Sequence, residues 1–186
     1  EFMSKPIAGL LKKSLSSGEL PQDWLTAIVA PVFKKGNRSK AENYRPISLT
    51  SIVCKVLESI IKHDVVKHFT ENSLFSDKQH GFISGRSTTT QLLKFIDHCL
   101  QSFVKGAVVD TIYLDFAKAF YTVPHKRLIE KLRSYGITGR TLNWIKAFLN
   151  NRSQNVRVNG ILSDPGIVKS GIPQGSVLIL FVIYIN

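Results

Sequence analysis

Cysteine, acidic side chains and long apolar runs are all scarce in this chain. The two cysteines, Cys54 and Cys99, sit in apolar, helix-like contexts without metal-ligand spacing or the numbers of a disulfide framework. A disulfide-stapled scaffold is excluded, and the pair reads as buried free thiols in a reducing compartment. The apolar run Val177 to Ile185 is far shorter than the roughly 20 residues that cross a bilayer, so it reads as a buried helix and not as a membrane anchor. No signal peptide, internal repeat or low-complexity tract is visible. Asp and Glu number only 13 against 25 Lys and Arg, a formal net charge of +12. A surplus of that size points to a polyanionic partner, nucleic acid first. An acidic membrane surface is the rival, but the cations are scattered and not gathered on one amphipathic helix.

What is present is enough for a packed core: 186 residues, 44% of them hydrophobic and 20% charged. The pattern predicts one α+β unit without an internal linker. Residues 5–17 read as a helix with Ile7, Leu10, Leu11 and Leu15 on one face and Gly18 as the stop. Residues 27–33 read as a strand that Pro31 confines to a sheet edge. A basic loop follows, with Lys34, Lys35, Arg38 and Lys40. Ser51 is placed to cap a helix reaching about Phe69, with Ile52, Val56, Ile60 and then Val65 or Val66 facing the core. Residues 79–86 read as a loop, and Ser87 or Thr88 opens a helix to about Phe103. Residues 107–116 are apolar on both faces and predict a central strand. Helices are expected at about 125–135 and 140–150, then a half-buried strand at 154–159, returning in a hairpin by Val168.

Asp115 is the first candidate for chemistry. An aspartate at the tip of an apolar strand is held by its backbone and can grip a divalent cation, with the carbonyl of Phe116 beside it. The plainer alternative is a strand-end aspartate that caps the following turn.

The segment around it, YLDFAKAF from Tyr113 to Phe120, resembles the first catalytic palm motif of reverse transcriptases in its retrotransposon form. SGIPQGSV, from Ser170 to Val177, is similar to the second palm motif. NYRPISLT, from Asn43 to Thr50, and QHGFISGRST, from Gln79 to Thr88, are similar to the fingers motifs of the same family. Four blocks in family order identify the chain, from about Leu20 onward, as a member of the non-LTR (LINE-like) retrotransposon reverse transcriptases. The resemblance implies the right-hand polymerase fold over residues 1–186, with fingers at about 20–106 and part of the palm at about 107–186.

It also implies roles. Asp115, with the Phe116 carbonyl, would hold Mg²⁺ for a two-metal nucleotidyl transfer. Arg45, with Lys34 or Lys35, would neutralise the triphosphate. Phe120 would lie beneath the sugar and reject a 2′-hydroxyl, with core packing as its plainer role. Gln174 and Gly175, with Pro173 alongside, would meet the incoming nucleotide and the template. Gly85 and Arg86 would lie against the template backbone. The implied partners are an RNA template, a DNA primer and deoxynucleoside triphosphates, with no membrane; the implied residence is nucleus or cytoplasm.

Two departures stand out. Tyr121 occupies a place where the family usually carries aspartate, and Ile179, Leu180 and Phe181 follow where a Gly-Pro pair is usual, as if by a short deletion. Both ends read as cut: Glu1, Phe2 and Met3 as a scar or a break, and Asn186 as a stop ahead of the family's aromatic-x-Asp-Asp hairpin. Asp97, Asp110 and Asp164 stand in the wrong contexts to replace its carboxylates. An inactive polypeptide is expected on that basis. Poor solubility is expected too, through a Val177–Ile185 helix left without its palm strands. The alternative from another class is a non-catalytic, basic nucleic-acid-binding remnant. A maturase or splicing factor sharing fingers and palm fits the Tyr44–Leu49 and Gln79–Phe82 blocks less well.

Overall fold

Trp144 and Ser14 lie 130 residues apart in the chain, yet the indole N–H donates to the Ser14 hydroxyl at 3.0 Å inside the core. The computed structural model describes residues 2–115 and 119–181. Helix α1 (Ser4–Ser17) ends where the Gly18 N–H returns to the Ser14 carbonyl at 2.9 Å, as the sequence predicts. A short helical turn, α2 (Gln22–Leu25), leads into strand β1 (Thr26–Phe33). The basic loop and strand β2 (Tyr44–Leu49) follow, then helices α3 (Ile52–Glu71) and α4 (Thr88–Val104). Helices α5 (His125–Ser134) and α6 (Gly139–Leu149) and strands β3 (Ser153–Val158), β4 (Ile161–Leu162) and β5 (Gly166–Ile167) complete the described elements. The mixture is the α+β class expected.

The sheet runs β2-β1-β3-β4, with β5 also paired to β3. β1 therefore lies inside the sheet, antiparallel to β2 and parallel to β3, and Pro31 does not mark an edge strand. The proline is tolerated because β3 pairs only as far as Val29, and because Pro31 faces Pro46 across β2. The Lys34 N–H bonds the Asn43 carbonyl at 2.8 Å, and alternation from there puts the two prolines at a pair that exchanges no hydrogen bond. Neither missing N–H is needed.

The core packs α3, α5 and α6 with α1 and the 172–181 segment. Trp144 stacks on Phe148 at 5.4 Å, and Phe69 meets Phe75 and Tyr135 at 5.3 and 5.2 Å. The capping box at Ser87, reciprocated by Thr90, starts α4 where expected.

Several expectations need correction. On α3 the buried stripe is Cys54, Leu57, Ile61, Val65 and Phe69, whereas Ile52 is 80% exposed and Val56 and Ile60 also face outward. The helix carries apolar residues on two adjacent stripes, and the core takes the second. Residues 107–115 form no strand, and Val108 is 90% exposed. A strand apolar on both faces needs a hydrogen-bonding neighbour, and none runs beside it among the described residues. Instead, the start of the segment lies along α4, where Phe95, Ile96, Leu100 and Phe103 border a groove with Val108 and Val109. No residue of α4 is fully buried, so Cys99 is only partly covered, while Cys54 is enclosed. The valines of β3 point outward, with Ser153 and Asn155 on the more covered side. The sequence predicts an apolar patch at Val177 to Ile185; in its described part Leu178, Leu180 and Phe181 are buried, whereas α4 and residues 108–114 carry exposed apolar side chains. Residues 182–185 lie outside the described residues.

Candidate functional site

The site is built on the free edge of β2. The alternation that pairs Pro31 with Pro46 also makes Val29 and Ser48 a pair that exchanges no hydrogen bond, so Pro46 and Ser48 aim their backbone groups away from β1. Two chain segments meet them there. The Ser48 N–H donates to the Gln174 carbonyl at 2.7 Å, and the hydroxyl of Tyr121 donates to the Pro46 carbonyl at 3.0 Å. The edge that would otherwise stand open is closed by these contacts.

Tyr121 also bonds the side-chain amide of Gln174. A phenol has a single proton, and the Tyr121 hydroxyl shares it between two acceptors, the Pro46 carbonyl and Gln174 Oε1. Burial pushes the Tyr121 phenol above its ordinary pKa.

Around this contact the segments 120–125 and 170–172 are laced together. The Ile172 and Gly171 N–H groups donate to Phe120 and Val123 at 2.9 Å each. The Ser170 hydroxyl donates to the Tyr121 carbonyl at 2.8 Å, and the His125 Nε2–H donates to the Gly171 carbonyl at 2.8 Å. Two glycines make the approach possible. A Cβ on Gly171 would stand 2.5 Å from the Phe120 oxygen, and one on Gly175 would stand 2.4 Å from the Ser48 oxygen.

Of the predicted site residues, this arrangement unites Gln174 and Gly175 with Phe120 and the β2 strand that carries Arg45. Arg45 is exposed, on the strand face opposite Ser48, and Lys34 and Lys35 are exposed just past the end of β1. Phe120 is half-buried against the core, and Pro173 is buried. Gly85 is exposed with open space around it. Arg86 turns inward: it donates to the carbonyls of Ser76 (2.8 Å) and Gln79 and approaches Asp77 at 3.6 Å. It thus staples its own loop.

Asp115 is exposed at the end of an irregular segment and not at a strand tip. Phe116, whose carbonyl was expected to join it, lies outside the described residues. Asp97 is on α4, Asp110 on the 107–115 segment and Asp164 between β4 and β5. Among the described residues no group of three His, Cys, Asp or Glu could hold a metal ion. Asp97, Asp110, Asp115 and Asp164 therefore form no such group among the described residues. No described helix is long and apolar enough to cross a membrane.

Sequence reasoning missed Tyr121, Ser48 and His125 as parts of the site. Backbone contacts of an edge strand carry no side-chain signature. Tyr121 is a departure visible in the sequence, and its length, which lets it reach Gln174, is the signal available.

The family model of reverse transcriptase (RNA-dependent DNA polymerase) matches residues 32–186. Among individual proteins, the chain is 33% identical over 165 residues to a probable RNA-directed DNA polymerase from transposon BS of Drosophila melanogaster, covering 85% of the chain and 17% of that protein. It is 29% identical over 167 residues to a probable RNA-directed DNA polymerase from transposon X-element of the same fly, covering 88% of the chain and 18% of that protein. It is 28% identical over 165 residues to the RNA-directed DNA polymerase from mobile element jockey of Drosophila funebris, covering 88% and 18%. The chain thus spans less than a fifth of the length of these curated relatives.

Proposed function

Because the chain belongs to the reverse transcriptase (RNA-dependent DNA polymerase) family, we propose that it is the part of a non-LTR retrotransposon polymerase that holds template and incoming nucleotide. Its partners are an RNA template, a DNA primer and deoxynucleoside triphosphates. The observation that carries the reading is the docking of the Gln174–Gly175 turn onto the β2 edge, through Ser48, on the strand that carries Arg45. A backbone-fixed turn presents the Gln174 amide in one place, which is what contact with a nucleotide base or template sugar requires.

Arg45, Lys34 and Lys35 bring positive charge to the triphosphate, and Phe120 stands beneath the sugar. Arg86 acts indirectly, by holding the 76–86 loop with Gly85 at its exposed turn. Asp115 would be the carboxylate that holds Mg²⁺, which would supply charge neutralisation at the phosphates. Among the described residues no group of three metal-ligating side chains forms around Asp115, so the 186-residue chain is expected to bind without polymerising.

The test is fluorescence anisotropy of a labelled RNA–DNA primer–template, with and without the complementary triphosphate, together with a primer-extension assay. Binding should weaken steeply with salt, tighten with the complementary triphosphate over the other three, and produce no extension. Mg²⁺-dependent extension that vanishes in Asp115→Ala would show the chain to be a polymerase in its own right.

The second reading, a basic nucleic-acid-binding remnant, is favoured by the net charge of +12. It predicts the same salt dependence, with no preference among the four triphosphates.

A further inference from the structure

A polar knot sits inside the apolar core, directly after the Gln174–Gly175 turn. Glu58 is fully buried on α3, flanked by the buried stripe Cys54, Leu57, Ile61 and Val65. Its Oε2 accepts from the Ser176 hydroxyl at 2.6 Å and from the Val177 N–H at 2.7 Å. The Ser176 oxygen in turn accepts from the Leu178 N–H at 3.1 Å. Arg152, also buried, lies over the Phe148 ring at 4.4 Å and donates to the Phe148 carbonyl at 3.1 Å. Oε1 of Glu58 and two of the Arg152 nitrogens have no hydrogen-bond partner, although the Cys54 thiol lies against Glu58 and Arg152 is attracted to both.

A carboxyl group is costly to bury, and an apolar side chain at the same place on α3 would avoid that cost. Beyond the neighbouring Cys54 thiol and Arg152, what Glu58 offers in return is two acceptor contacts to the residues directly after Gly175. The N–H groups it reaches, directly or through Ser176, lie just ahead of the helical residues 179–181, where a helix start leaves donors unpaired. The turn is therefore held by two partners. Ser48 fixes the Gln174 carbonyl and abuts Gly175, and Glu58 fixes Ser176 and Val177.

We infer that Glu58 is a positioning residue for the Gln174–Gly175 turn, acting through Ser176 and Val177 to set where the Gln174 amide stands. It touches no substrate. The inference rests on the reading of that turn as the nucleotide and template contact.

The test uses hydrogen–deuterium exchange of the 186-residue chain, free and with RNA–DNA primer–template plus the complementary triphosphate. Glu58→Leu removes both acceptor contacts, Glu58→Gln keeps an acceptor oxygen, and Ser176→Ala removes one donor should Glu58→Leu fail to fold. The expected result is exchange in 170–178 faster by about tenfold in Glu58→Leu, smaller acceleration in Ser176→Ala, and near-complete rescue in Glu58→Gln. Exchange in α6 should be unchanged, and the nucleotide-dependent protection of 170–178 should be lost in Glu58→Leu alone.

Equal acceleration throughout the core would make Glu58 a general stability residue and overturn the inference. So would unchanged exchange in 170–178 in both Glu58→Leu and Ser176→Ala. If 170–178 in the wild-type chain gains no protection from primer–template and triphosphate, the functional reading fails and the positioning role falls with it. The local acceleration would still report the contact itself, which separates the two failures.

Discussion

The hydroxyl of Tyr121 donates to the carbonyl of Pro46 at 3.0 Å, across 75 residues of chain. Pro46 can offer that oxygen because its place in the β1–β2 ladder exchanges no hydrogen bond with Pro31. The same hydroxyl bonds the Gln174 amide. One side chain thus joins the segment that follows Phe120, the Ser170–Val177 segment and strand β2. An aspartate there would not span the same gap.

Tyr121→Phe is expected to cost about 1 kcal/mol of stability, the usual net worth of such a hydrogen bond, read from urea unfolding. Burial raises the Tyr121 pKa, so the folded state holds this proton more tightly than the unfolded one. Its contribution is complete below the unfolded value of about 10 and lost as pH rises through the folded value. Subtracting the alkaline absorbance titration of the variant from that of the wild type should give a curve centred above pH 10. A curve centred at the ordinary value would show that the hydroxyl is solvated.

Gly175→Ala should be among the most damaging single-methyl additions in the chain. Its φ of 125° is a region costing a non-glycine residue of order 1–3 kcal/mol, and the added carbon would stand 2.4 Å from a backbone oxygen that cannot swing aside. Gly9→Ala, in the interior of α1 with open space around it, should instead stabilise by about 0.5–1 kcal/mol. Thermal melts of the two variants should move in opposite directions; a Gly175→Ala melt matching wild type would mean the turn does not sit on β2.

Arg86→Ala should loosen residues 76–86, because the loop loses its bonds to Ser76 and Gln79. Faster limited proteolysis within the loop is the expected outcome, with the salt slope of primer–template binding unchanged. A slope reduced by about one would instead mark Arg86 as a phosphate contact.

His80 supplies a pH dependence. Its ring is buried, and Nδ1 lies 3.0 Å from the Thr90 hydroxyl. That hydroxyl gives its own proton to the Ser87 carbonyl at 2.8 Å, so the His80 Nδ1–H is the donor. Burial, with Lys94 and then Arg86 nearby, lowers the His80 pKa. The neutral ring is favoured by folding, so its contribution is complete above about pH 6.5 and is lost as pH falls toward the lower folded value. Unfolding measured between pH 7.5 and 5 should show less acid loss in His80→Gln than in wild type. Parallel curves would remove His80 from the account.

Local signals were legible and long-range ones were not. The Gly18 stop and the Ser87 start declare themselves through backbone chemistry that depends on a few neighbouring residues. The inner face of α3 did not, because Ile52, Val56 and Ile60 make as good a stripe in sequence as Cys54, Leu57 and Ile61 do in the core. Glu58 was overlooked for a related reason: a glutamate on a helix defaults to the surface, although its position between Leu57 and Ile61 fits the buried stripe. The apolar stretch before Asp115 shows what it would cover, and a strand further requires neighbours that periodicity cannot supply. The motif residues Gln174, Gly175 and Phe120 were found by resemblance, whereas the β2 edge that brings them together is visible only in three dimensions.

The parallel pairing of β1 with β3 joins residues 26–29 to 153–156, and the Ser14–Trp144 bond closes nearly the same span. During synthesis neither contact can form until more than a hundred further residues have been added, on the order of ten seconds at ribosomal speed. The β1–β2 hairpin can pair early, but α1 and the open side of β1 must wait, exposed, for their partners. High contact order of this kind slows folding and leaves apolar surface available to chaperones or to neighbouring chains. How much of this polypeptide a cell obtains in native form is therefore governed by that wait as well as by the stability of the finished core.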